Sequence, residues 1–376
     1  MLDVLTIIDS SGNAIAISAA KTFTMPESDV TVSGTFKFAR LVMLSGPSIN
    51  TILVQNNVQS IVTKFIHSTT PPETGIATYK LSADNSDVDV LAWLDGTTIK
   101  FYAEGYTDSN RKIPLSADSK SLFMNCSSLQ VIDTEVFDTA AVTDMSRMFS
   151  GCKKLETIVF SNKFLTSNVK TMTSMFFGCE SLTSLDLSSF DTSNVTNMEN
   201  MFCYCKKLET IVFSNKFLTS NVKKMNSMFS SCESLTSLDL SSFDTSNVTD
   251  MNFMFYYCKK LETIVFSNKF LTSNVKKMNS MFSSCESLTS LDLSSFDTSN
   301  VTDMMHMFAL DYSLTTIIVG DGFDTSNVTN SDNMFGSCQS LVGGGGKKFS
   351  YLNPADKTYA RIDDPANGNP GYFTRK

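Results

Sequence analysis

The sequence predicts an α/β solenoid: coils of one strand plus one short helix, preceded by a β-rich module. Three observations predict it. Cys126, Cys152, Cys179, Cys205, Cys232, Cys258 and Cys285 follow one another at steps of 26, 27, 26, 27, 26 and 27 residues. Each step carries a segment that alternates apolar and polar, the period of a strand with one buried face. Each step also carries apolar residues at i, i+3, i+4 and i+7, one stripe of a short helix.

The strand element reads clearly from Leu182. Leu182, Leu185, Leu187 and Phe190 form a leucine-rich-repeat pattern in which Leu185 and Leu187 alternate with Ser184, Asp186 and Ser188. The helical element follows Thr192-Ser193-Asn194, residue types that cap helices. Its predicted apolar stripe is Met198, Met201, Phe202 and Cys205. A lone coil cannot fold. Its roughly nine inward side chains contribute about 1.5–3 kcal/mol each on burial. Ordering its backbone costs on the order of 1–2 kcal/mol per residue. Stacking must supply the difference, so the coils need neighbours and capped ends.

The larger period is a pair of coils. Residues 205–251 recur unchanged at 258–304, 53 residues later, and a diverged copy begins at Cys152. Asp311 takes the next expected cysteine position and Cys338 the one after; only Cys203 stands outside the series. Charge follows the pair. Residues 152–178 sum to +3, 179–204 to −4, 205–231 to +4, 232–257 to −4, 258–284 to +4 and 285–310 to −4. Every neighbour is therefore opposite in sign. Single surface pairs contribute about 0–1 kcal/mol, but stacking like on like would be repulsive.

The remaining organisation falls into four parts. Residues 1–36 read as a small β unit with strands near 4–8, 14–18 and 30–38. Residues 37–120 read as a β-rich N-terminal cap, with Asp95-Gly96 as a hairpin turn. Residues 121–342 are the coils. Gly343 to Gly346 break the pattern, and 343–376 form the C-terminal cap.

The runs Met-Phe-x-x-Cys-x-x-Leu and Leu-Asp-Leu-Ser-Ser-Phe-Asp-Thr-Ser-Asn-Val-Thr resemble BspA-type leucine-rich-repeat surface proteins of bacteria. The lead-in Val90-Leu91-Ala92-Trp93-Leu94-Asp95-Gly96-Thr97-Thr98 and the closing Pro370-Gly371-Tyr372-Phe373 are also similar, so the resemblance covers about 80–376. Phe23-Thr24-Met25-Pro26-Glu27-Ser28-Asp29-Val30-Thr31-Val32 resembles the closing strands of internalin-type B repeats. The resemblance implies display at a cell surface and transfers no catalytic residue.

Chemistry is sparse. There are two histidines, His67 and His306, and no nucleophile–base pair, phosphate loop or His-Glu metal spacing can be assembled from the sequence. No catalytic residue, cofactor or metal is expected. The cysteines fall on the apolar stripe beside Met and Phe, so they are expected as buried free thiols. Asn194, Asn247, Asn300 and Asn327 open Asn-Val-Thr, but Asn168, Asn221 and Asn274 hold the same place without the Thr. A structural Asn ladder is expected. A net charge of −8 argues against nucleic acid. No apolar run reaches the ~20 residues that span a membrane. The start Met1-Leu2-Asp3 does not read as a signal peptide.

The expected site is the outward sheet face. Val159, Asp186, Val212, Asp239, Val265 and Asp292 alternate down its centre, suited to an extended or repetitive partner. The expected function is a non-enzymatic surface-displayed adhesion module binding an extracellular protein or glycan. The alternatives are a bacteriophage tail or head fibre, located in the virion, and a passive structural spacer.

Overall fold

The computed structural model describes residues 2–9, 30–36, 40–106, 112–161 and 164–376. Its regular elements are mostly strands, with about 5% of residues helical, and among the described residues they form several small sheets and no closed barrel. β1 (Leu2–Asp9) pairs antiparallel with β2 (Val30–Phe36). The expected strand at 14–18 lies outside the described residues.

The next segment is not purely β. Helix α1 (Gly46–Gln55) opens it: the Ser45 hydroxyl accepts from the Ser48 amide, and Pro47 sits in the first turn, where its missing N–H costs nothing. Ile49 and Leu53, four apart, are its buried stripe. Then come β3 (Lys64–His67), β4 (Tyr79–Lys80), β5 (Val90–Asp95) and β6 (Thr98–Ala103). β5 and β6 form the expected hairpin: Asp95 faces Thr98, and Gly96 takes φ 59° in the turn. After β7 (Ile113–Pro114), β8 (Val131–Ile132) completes a five-stranded sheet of order β4-β5-β6-β3-β8. β8 is the first repeat's strand, and it runs parallel to β3, so the repeats begin on the edge of this sheet. Phe65 and Phe101 pack on Phe123 and Phe137 across the junction, at 5.0 and 5.7 Å. β7 pairs in parallel with β9 (Phe137–Asp138).

The repeats that follow are strand-and-turn units, and here two expectations are corrected. First, the apolar stripe does not form a helix. From Met145 to Cys152 the amides alternate in purpose. Met148, Ser150 and Cys152 donate to residues three back. Met145, Arg147, Phe149 and Gly151 donate to Thr171, Thr173, Met175 and Phe177 of the next unit. Two left-handed residues four apart drive the alternation, Arg147 and Gly151 here, Ser227 and Ser231 or Ser280 and Ser284 further on. A helix keeps its hydrogen bonds to itself; this string of tight turns gives half of them to its neighbour. The turn string still buries Met, Phe and Cys, because residues three and four apart fall on one side in either conformation.

Second, the strands do not form one sheet. β10 (Ser184–Asp186) pairs in parallel with β11 (Thr210–Val212). β12 (Ser237–Leu240) pairs with β13 (Thr263–Phe266), and β14 (Ser290–Leu293) with β15 (Thr316–Val319). β11 and β12 belong to separate sheets, as do β13 and β14. Paired strands are 26 residues apart in register and unpaired ones 27. The extra residue falls just after the Thr-Ile-Val strand, in Ser214-Asn215-Lys216 and Ser267-Asn268-Lys269. The loop it lengthens opens a seam between one pair of units and the next. β16 (Phe373–Arg375) adds in parallel to β15 and covers that end of the repeats.

The turn side ignores the seams. Isolated parallel bridges run unbroken through Asp118, Asp144, Thr171, Asn197, Lys224, Asp250, Lys277, Asp303 and Asn330. Inside them Phe123, Phe149, Phe176, Phe202, Phe229, Phe255, Phe282, Phe308 and Phe335 form one ring stack, with successive centroids 5.4–6.0 Å apart.

Candidate binding surfaces

The strand side presents the expected residues, though not as one row. Val212 and Val265 lie in β11 and β13, half exposed at 51% and 53%. Asp186, Asp239 and Asp292 lie in β10, β12 and β14, with side chains outward. Each carboxylate accepts the amide two residues on, from Ser188, Ser241 and Ser294, at 2.8–2.9 Å. Those serine bonds hold the Asp186 and Asp239 carboxyls below the usual range. Asp292 is also lowered, against some burial, by Ser294 and the nearby Lys376. The Lys376 ammonium reaches Asp292 at 3.5 Å and the Ser294 hydroxyl at 2.8 Å, so this end of the row is already engaged.

Val159 departs from the expectation. It is the most exposed of the valines, at 72%, but sits in no strand. Its carbonyl accepts the Thr134 hydroxyl of the preceding unit. The structure thus brings Val212 and Asp239 together across a seam and leaves Val159 apart. A depression of about 540 Å³ opens at that seam, lined by Val212, Phe213, Asn215, Asp239 and Ser241.

The turn side carries groups that sequence reasoning passed over. Phe253, Tyr256 and Tyr257 emerge from one turn string, with Phe253 and Tyr256 edge to face at 5.6 Å. Tyr204 meets Phe177 at 5.5 Å, and Leu310 is 40% exposed beside His306. A signal for them existed: these are positions at which the otherwise duplicated units differ.

The residues from Asp118 to Val342 that form this ladder and both of its faces match one family model, in three overlapping stretches: 117–237, 186–267 and 227–348. That family is described as Mycoplasma protein of unknown function, DUF285. The chain belongs to the DUF285 family. No curated protein matches it.

Within the DUF285 repeats the cysteine and asparagine positions are structural. All nine cysteines are free and buried. Each repeat cysteine from Cys152 donates its thiol to a phenylalanine carbonyl of the preceding unit: Cys205 to Phe176 at 3.2 Å, Cys258 to Phe229 at 3.1 Å. Burial pushes the thiols up, to about 12 for Cys126 and Cys258 and about 11 for Cys203. Asp311 takes the same place: its carboxylate accepts the Cys285 amide at 2.7 Å, and burial drives its pKa well up. A protonated carboxyl offers one acceptor and one donor, as a thiol does. The asparagines donate across units, Asn194 to the Ser167 carbonyl and Asn247 to that of Ser220, both at 2.7 Å. Among the described residues no group of three or more His, Cys, Asp or Glu converges on a point, and no helix is long and apolar enough to cross a membrane.

Proposed function

We propose that this chain is a non-enzymatic binding module, displayed outside a cell, that holds an extracellular protein or glycan on the strand side of its repeats. On this reading the units stack into an extended BspA-type leucine-rich-repeat solenoid. The observation that carries it is the exposure of Val212 and Val265 beside carboxylates fixed by their own serines. Large aliphatic groups facing water at equivalent places in alternate units offer apolar contact, and the pre-set carboxylates between them lose little freedom on binding. Each such contact is small, so affinity must come from several acting together.

The test substitutes Val159, Val212 and Val265 with Lys, singly and together. Each side chain is exposed, so the fold should survive, as circular dichroism would report. Attachment of the purified chain to matrix-protein-coated and glycan-coated surfaces should fall a few-fold for Val212→Lys and more than tenfold for the triple variant. Because Val159 stands outside the strand pairs, Val159→Lys should matter least. Full attachment by a folded triple variant would remove the strand side from consideration.

A further inference from the structure

We infer that the turn side carries a second site, a trough for a neutral oligosaccharide between the unit at 252–257 and the unit at 305–310. The starting point is where the duplicated units differ. Residues 205–251 and 258–304 are identical. The sequence diverges at the next turn string, where Asn252-Phe253 and Tyr256-Tyr257 in one copy correspond to Met305-His306 and Ala309-Leu310 in the other. The intervening turn strings keep small polar residues at the matching places: Ser227 and Ser230, then Ser280 and Ser283. Between 225 and 310 large side chains therefore appear only in alternate units.

Their backbone makes the choice costly. Phe253, Tyr257, His306 and Leu310 all have φ between 55° and 65°, the left-handed region. A bulky residue there is an outlier, and such outliers cluster where a site requires them. Packing does not require them, since Ser227, Ser231, Ser280 and Ser284 hold the same conformation in the same ladder.

The result is a trough of about 470 Å³. Its lining runs from Phe253 and Tyr256 through Asn279, Ser280 and Ser283 to His306 and Leu310, with Asn333 in the unit beyond. Phe253 and His306 hold equivalent positions two units apart, about 10 Å at the usual spacing of parallel strands. That admits one ring between side chains, and the volume lies in the range of small-ligand sites.

The chemistry selects the ligand class. None of the lining residues carries a formal charge, on a chain whose units from 179 to 310 alternate between −4 and +4. A charged peptide, phosphate or acidic sugar would find no counter-charge. A neutral sugar ring presents C–H faces that pack on aromatic rings and hydroxyls that pair with amides, serines and imidazole. All of these line the trough. The site is independent of the strand side.

The test is affinity electrophoresis of the full chain through gels holding dextran, mannan, laminarin or xylan, with hyaluronate as the charged control. Phe253→Ser combined with Tyr256→Ser restores the side chains that Ser227 and Ser230 already supply in the same fold, so the variant should keep its melting midpoint. We expect retardation by at least one neutral polysaccharide, lost at least tenfold in this variant and kept in the Val159, Val212, Val265 triple variant. Retardation of the parent chain by none of the four, retardation by hyaluronate alone, or unchanged retardation of the folded double variant would each overturn the assignment.

Discussion

The two sides of the repeats are held by different rules. On the turn side, half the amides of every unit bond to the next, at each step, whether the step is 26 or 27 residues. On the strand side, ladders form only across the 26-residue steps. The difference teaches where continuity resides. Left-handed residues four apart turn backbone amides toward the neighbour at fixed places, so the turn side tolerates no slip. The extra residue of each longer unit is placed on the other side, where Ser214-Asn215-Lys216 loops out and leaves a seam.

The harshest test of this contrast is deletion. Removing residues 205–257 takes out β11, one seam and β12, and leaves β10 facing β13, whose sequence repeats that of β11. Removing 232–257 alone brings the +4 unit at 205–231 against the +4 unit at 258–284 and deprives β13 of β12. We expect the pair deletion to melt close to the parent. The single deletion should melt about 5–10 °C lower at low salt, the shift expected from a few lost pairs and one strand ladder. Equal midpoints would show that neither seams nor charges matter.

Point substitutions sharpen the same contrast. Phe229 is fully buried in the ring stack. Phe229→Ala should cost about 3–5 kcal/mol in urea denaturation, the usual range for a buried aromatic. Ile211, on the strand side next to a seam, is only partly buried. Ile211→Ala should cost about 1–2 kcal/mol, in proportion to its smaller buried area. A reversed order would place the continuous side on the strands.

Asp311 gives a smaller, signed effect. Its folded pKa is raised by burial above the ordinary 3.8, so the folded chain favours the protonated acid. That stability is complete below the unfolded value and is lost as pH rises through the window between the unfolded and folded values. Asp311→Cys rebuilds the cysteine series and removes the titration. Its melting midpoint should exceed the parent's at neutral pH, and the gap should narrow on acidification toward pH 4. A gap independent of pH would contradict the assignment. The least perturbing probe is thiol labelling. The folded protein at pH 8 should react slowly, with Cys203 first because burial raises its pKa less than those of Cys126 and Cys258. Unfolding should expose nine reactive thiols.

The repeat and its doubling were legible because periodicity is written in one-dimensional spacing. The strands were legible from Leu185 and Leu187 alternating with hydroxyls and Asp186. The helix was misread because Met198, Met201, Phe202 and Cys205 satisfy the helical stripe equally well in a string of turns. The contrary signal was the small polar residue recurring four apart, Ser227 and Ser231, which favours turns. Helix α1 carried readable marks in Ser45-Gly46-Pro47, with Ile49 and Leu53 one turn apart. The seam was not legible, since whether a 27-residue step breaks a ladder depends on where the added residue sits. The aromatic trough was hidden because single Phe and Tyr residues beside a conserved-looking apolar stripe read as more core.

The seams make length a countable property. A structure whose interfaces alternate between paired and unpaired strands can gain or lose material cleanly only two units at a time, each insertion shifting everything beyond it by about 10 Å at ordinary strand spacing. The unchanged run shared by 205–251 and 258–304 has the form of such an insertion. The molecule is thus graduated like a ruler: a ligand gripped beyond the insertion can be moved outward by whole graduations while the grip itself stays the same.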